Sequence, residues 1–135
     1  MYWVYVMQSQ QVRYGKRGRK LPGYYYVGMT TDPRRRAFEH NGLHPSGKPG
    51  NTRGAKWTAK WRPLLMKAIF GPYESRSESL KAEYALKHSK RGEARTKWSA
   101  DDSPWCRGEG VADPRVEQIN EDLARAFAAA LPSTS

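Results

Sequence analysis

The sequence has a single cysteine, Cys106, among its 135 residues. One thiol excludes an intramolecular disulfide and any cysteine-rich zinc site, so no zinc-binding domain is expected here. Long apolar runs are also missing. No stretch approaches the ~20 residues that cross a bilayer. The opening MYWVYVMQ has neither a charged n-region nor a small-residue cleavage site. The expected setting is intracellular (cytoplasm or nucleoid, or nucleus in a eukaryote), without a membrane partner. Acids are scarce too. Residues 1–98 hold 6 Asp and Glu against 21 Lys and Arg. Chemistry that needs several clustered carboxylates, such as a two-metal site, is therefore a poor expectation.

What is abundant is positive charge. The chain carries a net +11 with a pI near 10.0, which favours a polyanionic partner, nucleic acid ahead of an acidic membrane. The charge is uneven, because residues 99–135 reverse the balance with 3 Lys and Arg against 7 Asp and Glu. The expected organisation is a basic domain over 1–98, a linker over 99–115, and a C-terminal amphipathic helix and tail over 116–135.

Residues 2–7, YWVYVM, are β-branched and aromatic without polar alternation and read as a buried strand. A polar loop with Arg13, Lys16, Arg17, Arg19 and Lys20 leads to YYYVG, the return strand of a hairpin. Thr31 or Asp32 can cap a following helix, Pro33 suits its first position, and Asn41-Gly42 should end it. Residues 43–63 read as a loop in which Trp57 and Trp61 interleave with Lys56, Lys60 and Arg62; the two tryptophans fit base stacking and loop packing equally well. LLMKAIF (64–70) is a third strand stopped by Gly71-Pro72. Ser75 and Glu78 have capping-box spacing for a second helix. Val116, Ile119, Leu123, Phe127 and Leu131 recur at helical steps. The predicted fold is α+β (α/β): a small three-stranded antiparallel sheet flanked by helices, in the order β-β-α-β-α-(α).

Arg36 and His40 stand four residues apart on the first helix, so they share a face. The helix begins just after Gly28, whose missing Cβ lets backbone or ligand approach. A run such as Arg34–Arg36 more often forms a solvated face or a phosphate-positioning patch than a catalytic set. On the second helix, Leu80 and Leu86 draw the face of Glu83 toward the sheet, where a carboxylate needs a partner or a cation. The competing reading is an exposed Glu83–Lys87 pair. His44 and His88 read as structural or surface residues. Together these elements offer a phenol, an imidazole, a guanidinium and one carboxylate, the groups that phosphodiester hydrolysis uses.

These residues resemble the GIY-YIG nuclease superfamily. Val4-Tyr5 within WVYV resembles its first motif, and YVG at 26–28 its second. Arg36 lies eight residues after Gly28, as the family's arginine does, and His40-Asn41 follows at the matching place. SESLKAEYALKH resembles the helix whose glutamate binds metal, which falls on Glu83. GAKWT (54–58) is similar to the structure-selective nucleases of branched DNA and their small bacterial relatives. The resemblance covers roughly 1–95. It departs at Trp3, which stands at the first motif's glycine, and in the extra basic stretch between the motifs.

The resemblance implies a DNA endonuclease with one Mg²⁺ or Mn²⁺ held by Glu83. Tyr5 or Tyr26 would be the general base, Arg36 the transition-state clamp and His40 the residue that orients or activates a tyrosine. Arg35 would be an auxiliary phosphate ligand. Gly28, Lys16, Arg17, Arg19, Lys20, Arg53, Lys56, Trp57 and Lys60 complete the expected DNA surface, on duplex, branched or single-stranded DNA. The alternatives are a non-catalytic nucleic-acid-binding module on the same scaffold, and a domain that works inside a complex through its C-terminal helix. In either nucleic-acid reading, affinity for DNA measured by fluorescence anisotropy should fall at least tenfold between about 50 and about 200 mM salt, through counterion release.

Overall fold

In the computed structural model, which describes residues 1–21, 23–50, 56–87 and 114–130, the first apolar run is strand β1 (Tyr2–Ser9). Val4 to Met7 are all buried because helices cover both faces of the sheet, which is why the run shows no polar alternation. The tyrosine run ends in β4 (Tyr25–Thr30), antiparallel to β1, with Tyr5 opposite Gly28 and Met7 opposite Tyr26. Strand β5 (Leu64–Tyr73) pairs along the other side of β1, so the order is β4-β1-β5. The expected α+β sheet is therefore present. β5 does not stop at Gly71-Pro72 as expected. It runs on to Tyr73, and the proline is tolerated because an edge strand has a side that needs no N–H donor. The basic connection between β1 and β4 is more than a loop: β2 (Arg13–Tyr14) pairs with β3 (Lys20–Leu21) around a turn at Lys16–Gly18.

Helix α1 (Pro33–His40) starts where Asp32 accepts a hydrogen bond from the Arg35 N–H (3.1 Å), and it closes at Asn41 and Gly42, the latter left-handed at φ 72°. A short helix, α2 (Lys56–Lys60), stands in the segment expected to be wholly loop. The Ser75 hydroxyl caps α3 (Arg76–Lys87) through the Glu78 N–H at 3.1 Å. α4 spans Arg115–Ala130. One face of the sheet packs on α1 and α4, joining Tyr5, Met7, Phe38, Leu64, Ile119 and Leu123 in one core. The other face, with Val4, Val6, Tyr25 and Val27, is covered by α3.

The apolar stripe of the C-terminal helix thus has an occupant within the chain. Ile119, Leu123 and Ala126 are buried in the same core as Tyr5, with Val116 and Phe127 at its margin. Trp3 packs at that margin, and the Arg115 guanidinium lies 4.9 Å from its ring centre. Arg34 adds a link from α1, donating to Asp122 at 3.1 Å while lying over the Phe38 ring. Leu131 and most of the expected linker lie outside the described residues, and among those described no helix is long and apolar enough to cross a membrane.

Two asparagines close the free edge of β5. The Leu64 N–H donates to Asn41 Oδ1 (2.7 Å), and Asn41 Nδ2 donates back to the Leu64 carbonyl (2.9 Å). Asn120 on α4 repeats the pattern at Met66, at 2.7 and 2.8 Å. Each side-chain amide imitates one rung of a further strand, satisfying edge groups that would otherwise be unpaired or open to another chain. Removing one such amide leaves a donor and an acceptor of Met66 without partners. Asn120→Ala should therefore lower unfolding free energy in urea by about 1–3 kcal/mol.

Candidate active site

The site grows from the register of β1 on β4. Tyr5 faces α1, and its ring lies over Gly28 on the neighbouring strand. A Cβ at Gly28 would come within 2.6 Å of Tyr5 Cζ. Gly28 was expected to leave room for nucleic acid. It is buried, and the room is taken by the phenol ring instead.

His40, the last residue of α1, is fully buried beside that phenol. Tyr5 Oη and His40 Nε2 are 2.6 Å apart, and His40 Nδ1 is 2.9 Å from the buried Thr58 hydroxyl on α2. The Tyr26 ring meets the imidazole edge-on, with centroids 4.8 Å apart. One helical turn before His40, Arg36 brings its positive charge to bear on the Tyr5 phenol. Glu39 lies between two cations, 3.3 Å from Arg36 and 3.5 Å from Arg35. So Tyr5, Tyr26, Arg36 and His40 converge. Tyr25 points to the opposite face, and Tyr24 packs against Trp61 with ring centres 4.7 Å apart, the Arg13 guanidinium lying 4.1 Å from the centre of the Tyr24 ring. Trp61 is therefore a packing residue at the root of the basic ribbon.

Glu83 is half-buried on α3, and its charge reaches the same phenol. The reason given for its inward face needs correction. Leu80 is 44% exposed, and it is Ala82 and Leu86 that pack on the sheet, with Ser79 buried one turn earlier. The side chain of Lys87, its candidate pairing partner, lies outside the described residues.

Burial pushes the Tyr5 phenol well above the ordinary tyrosine value. Tyr26 and Glu83 push the same way, and the Arg36 cation pulls back. Burial lowers His40 to about 3, helped by Arg36 and then Arg62. At neutral pH the pair is thus a phenol and an uncharged imidazole.

Of the expected DNA contacts, Lys16, Arg17, Arg19 and Lys20 are exposed on the β2–β3 ribbon, Lys60 is exposed on α2, and Arg35 is half-exposed beside Glu39. Arg53 and the side chains of Lys56 and Trp57 lie outside the described residues. Sequence reasoning gave no role to Thr58, Glu39 or Arg62, whose Nε–H donates to the His40 carbonyl at 2.8 Å. The recurring GAKWT segment was the only signal for Thr58. Nothing local marks the other two.

The described residues thus bring a buried phenol–imidazole pair together with the Arg36 guanidinium, and Glu83 adds a carboxylate whose charge reaches the same phenol. A model of the GIY-YIG catalytic domain matches residues 1–96. The chain belongs to this family and carries its nuclease domain. It is 46% identical over 67 residues to a UPF0213 protein of Enterococcus faecalis, covering 48% of this chain and 65% of that protein. It is 35% identical over 89 residues to the structure-specific endonuclease subunit SLX1 of Meyerozyma guilliermondii, covering 66% of this chain and 25% of that one. A UPF0213 protein of Halobacterium salinarum matches at 35% over 71 residues, covering 53% of this chain and 79% of that protein. The chain therefore spans less than two thirds of the Meyerozyma and Enterococcus relatives.

The depressed His40 pKa has a consequence for stability. Below 6.5 the unfolded chain takes up a proton that folded His40 refuses until about 3, so stability falls as pH drops through that window. Asp122, held low by hydrogen bonds from Arg34 and Gln118, adds an acid-side loss of its own. In thermal melts from about pH 6.5 to about pH 4, His40→Gln should lose melting temperature less steeply than the parent, because the His40 part is removed.

Proposed function

We propose that the protein is a divalent-metal-dependent DNA endonuclease that hydrolyses phosphodiester bonds, with branched DNA as its substrate class. The observation that carries this reading is the buried Tyr5–His40 hydrogen bond of 2.6 Å, facing Arg36 and within the field of Glu83. The substrate class draws on the SLX1 relatives, which are described as structure-specific endonucleases.

Among the described residues there is no cluster of three His, Cys, Asp or Glu that could enclose a metal. A single half-buried carboxylate suits a hard cation that keeps several waters and takes its remaining ligands from phosphate, as Mg²⁺ or Mn²⁺ does. Glu83 is the residue that would hold it, and when bound it would neutralise charge on the phosphate and the leaving oxygen.

In this reading Tyr5 handles the proton, because its oxygen lies 2.6 Å from His40 Nε2. Its oxygen takes a proton from the attacking water while its own hydrogen passes to His40 Nε2. The hydroxide forms a bond to phosphorus, the bond to the leaving 3′ oxygen breaks, and that oxygen is protonated from solvent, leaving a 5′-phosphate. Arg36 stabilises the charge that builds on the phosphoryl oxygens. Arg36 also depresses His40 in the free protein. A DNA phosphate on Arg36 would offset that cation and raise the basicity of His40 only when substrate is in place. Tyr26, edge-on to the imidazole, shields the pair and bounds the space for the water.

The reading is tested with Glu83→Ala and a panel of single-stranded, duplex, flap and junction DNA in Mg²⁺ and Mn²⁺. The parent should cut a branched substrate, and the variant should lose at least about 100-fold in rate with DNA affinity unchanged. Parental binding without turnover across the whole panel would instead identify a non-catalytic nucleic-acid-binding module.

A further inference from the structure

Thr58 has no part in the chemistry above, yet its hydroxyl is fully buried and bonded at 2.9 Å to the ring nitrogen of His40 that faces away from Tyr5. A neutral imidazole has one N–H, and the two contacts of His40 admit two arrangements. In one, Nε2–H donates to the Tyr5 oxygen and the Thr58 hydroxyl donates to Nδ1. In the other, Nδ1–H donates to Thr58 Oγ1 and Nε2 accepts the Tyr5 hydrogen. The first turns the phenol's own hydrogen away from the imidazole and leaves it without the Nε2 acceptor at 2.6 Å. The second runs donor to acceptor from Tyr5 to His40 to Thr58. Only the second leaves a lone pair on Nε2 ready for a proton.

We infer that Thr58 is a positioning residue that holds His40 in the Nδ1–H tautomer and so keeps Nε2 open toward Tyr5. This rests on the reading of Tyr5 and His40 as the proton-handling pair. Three features support it. The Thr58 side chain sits in a fully buried setting, so water does not compete for the imidazole. The same histidine is held from its backbone by Arg62, at 2.8 Å. The Trp61 N–H bonds the Thr58 carbonyl at 3.0 Å, fixing the end of α2 that presents the hydroxyl. The other groups facing His40 are Tyr5 on β1, Tyr26 on β4 and Arg36 on its own helix. The phenol of Tyr5 is engaged at Nε2 and Thr58 is the group that meets Nδ1, so the tautomer turns on the direction of the Thr58 bond.

The test uses the full chain with ¹⁵N-labelled histidine; with 3 histidines in the sequence, His40 can be assigned by His40→Gln. Imidazole ¹⁵N shifts, single-turnover cleavage with Mg²⁺ and DNA affinity are measured for the parent, Thr58→Val and Thr58→Ser. The parent should show Nδ1 protonated and Nε2 bare. Thr58→Val, nearly the same size, should lose that preference and cleave roughly 10- to 100-fold more slowly at unchanged affinity, and Thr58→Ser should restore both. A parental Nε2–H tautomer overturns the inference, as does a valine variant that keeps the tautomer, or loses it while cleaving at the parental rate. If the parent cuts no DNA, the nuclease reading fails, while the nitrogen shifts still decide whether Thr58 holds the tautomer.

Discussion

The hydrogen bond between Tyr5 and His40 is the contact around which this molecule is arranged. It requires a phenol on the central strand, an imidazole on the last turn of α1, and a glycine opposite so that the ring can lie flat on β4. It is buried, and burial governs its chemistry: the phenol keeps its proton and the imidazole stays neutral. In water such a pair would exchange partners freely. Here the geometry is fixed by the sheet register on one side and by Thr58 and Arg62 on the other.

Around that contact, the domain completes its core with a helix from far along the chain. α4 supplies Ile119, Leu123 and Ala126 to the cluster that also contains Tyr5. Trp3, standing where the related motif has glycine, packs at the margin of that cluster with Arg115 of α4 over its ring. A glycine at this position would offer α4 no such surface. Asn41 and Asn120 then finish the free edge of β5, one from the end of α1 and one from within α4.

Charge is divided between two tasks. Lys16, Arg17, Arg19 and Lys20 on the ribbon and Lys60 on α2 are exposed, the setting in which a cation can meet a phosphate backbone. Those nearest the site are already engaged with protein: Arg36 with Glu39 and the Tyr5 phenol, Arg62 with the His40 carbonyl, Arg34 with Asp122. Arg36 thus links the two roles, since the guanidinium proposed to meet a phosphate also adds to the effect of burial in lowering the basicity of the imidazole.

Local pattern was enough to find much of this. The lack of polar alternation in YWVYVM, the caps at Asp32 and Ser75, and the left-handed stop at Gly42 placed β1, α1 and α3, because each depends on residues adjacent in sequence. The spacing of Arg36 and His40 put them on one face by helical geometry alone. What lay beyond reach were relations across the fold. Gly28 looked open until Tyr5 was seen to fill it, Leu80 looked inward until the crossing of α3 exposed it, and Thr58 looked like part of a loop until α2 brought it to His40. The sequence determined which groups were present and which neighbours shared a face. Only the tertiary structure decided what each one touches, because strand register and helix docking depend on the simultaneous burial of residues distant in the chain.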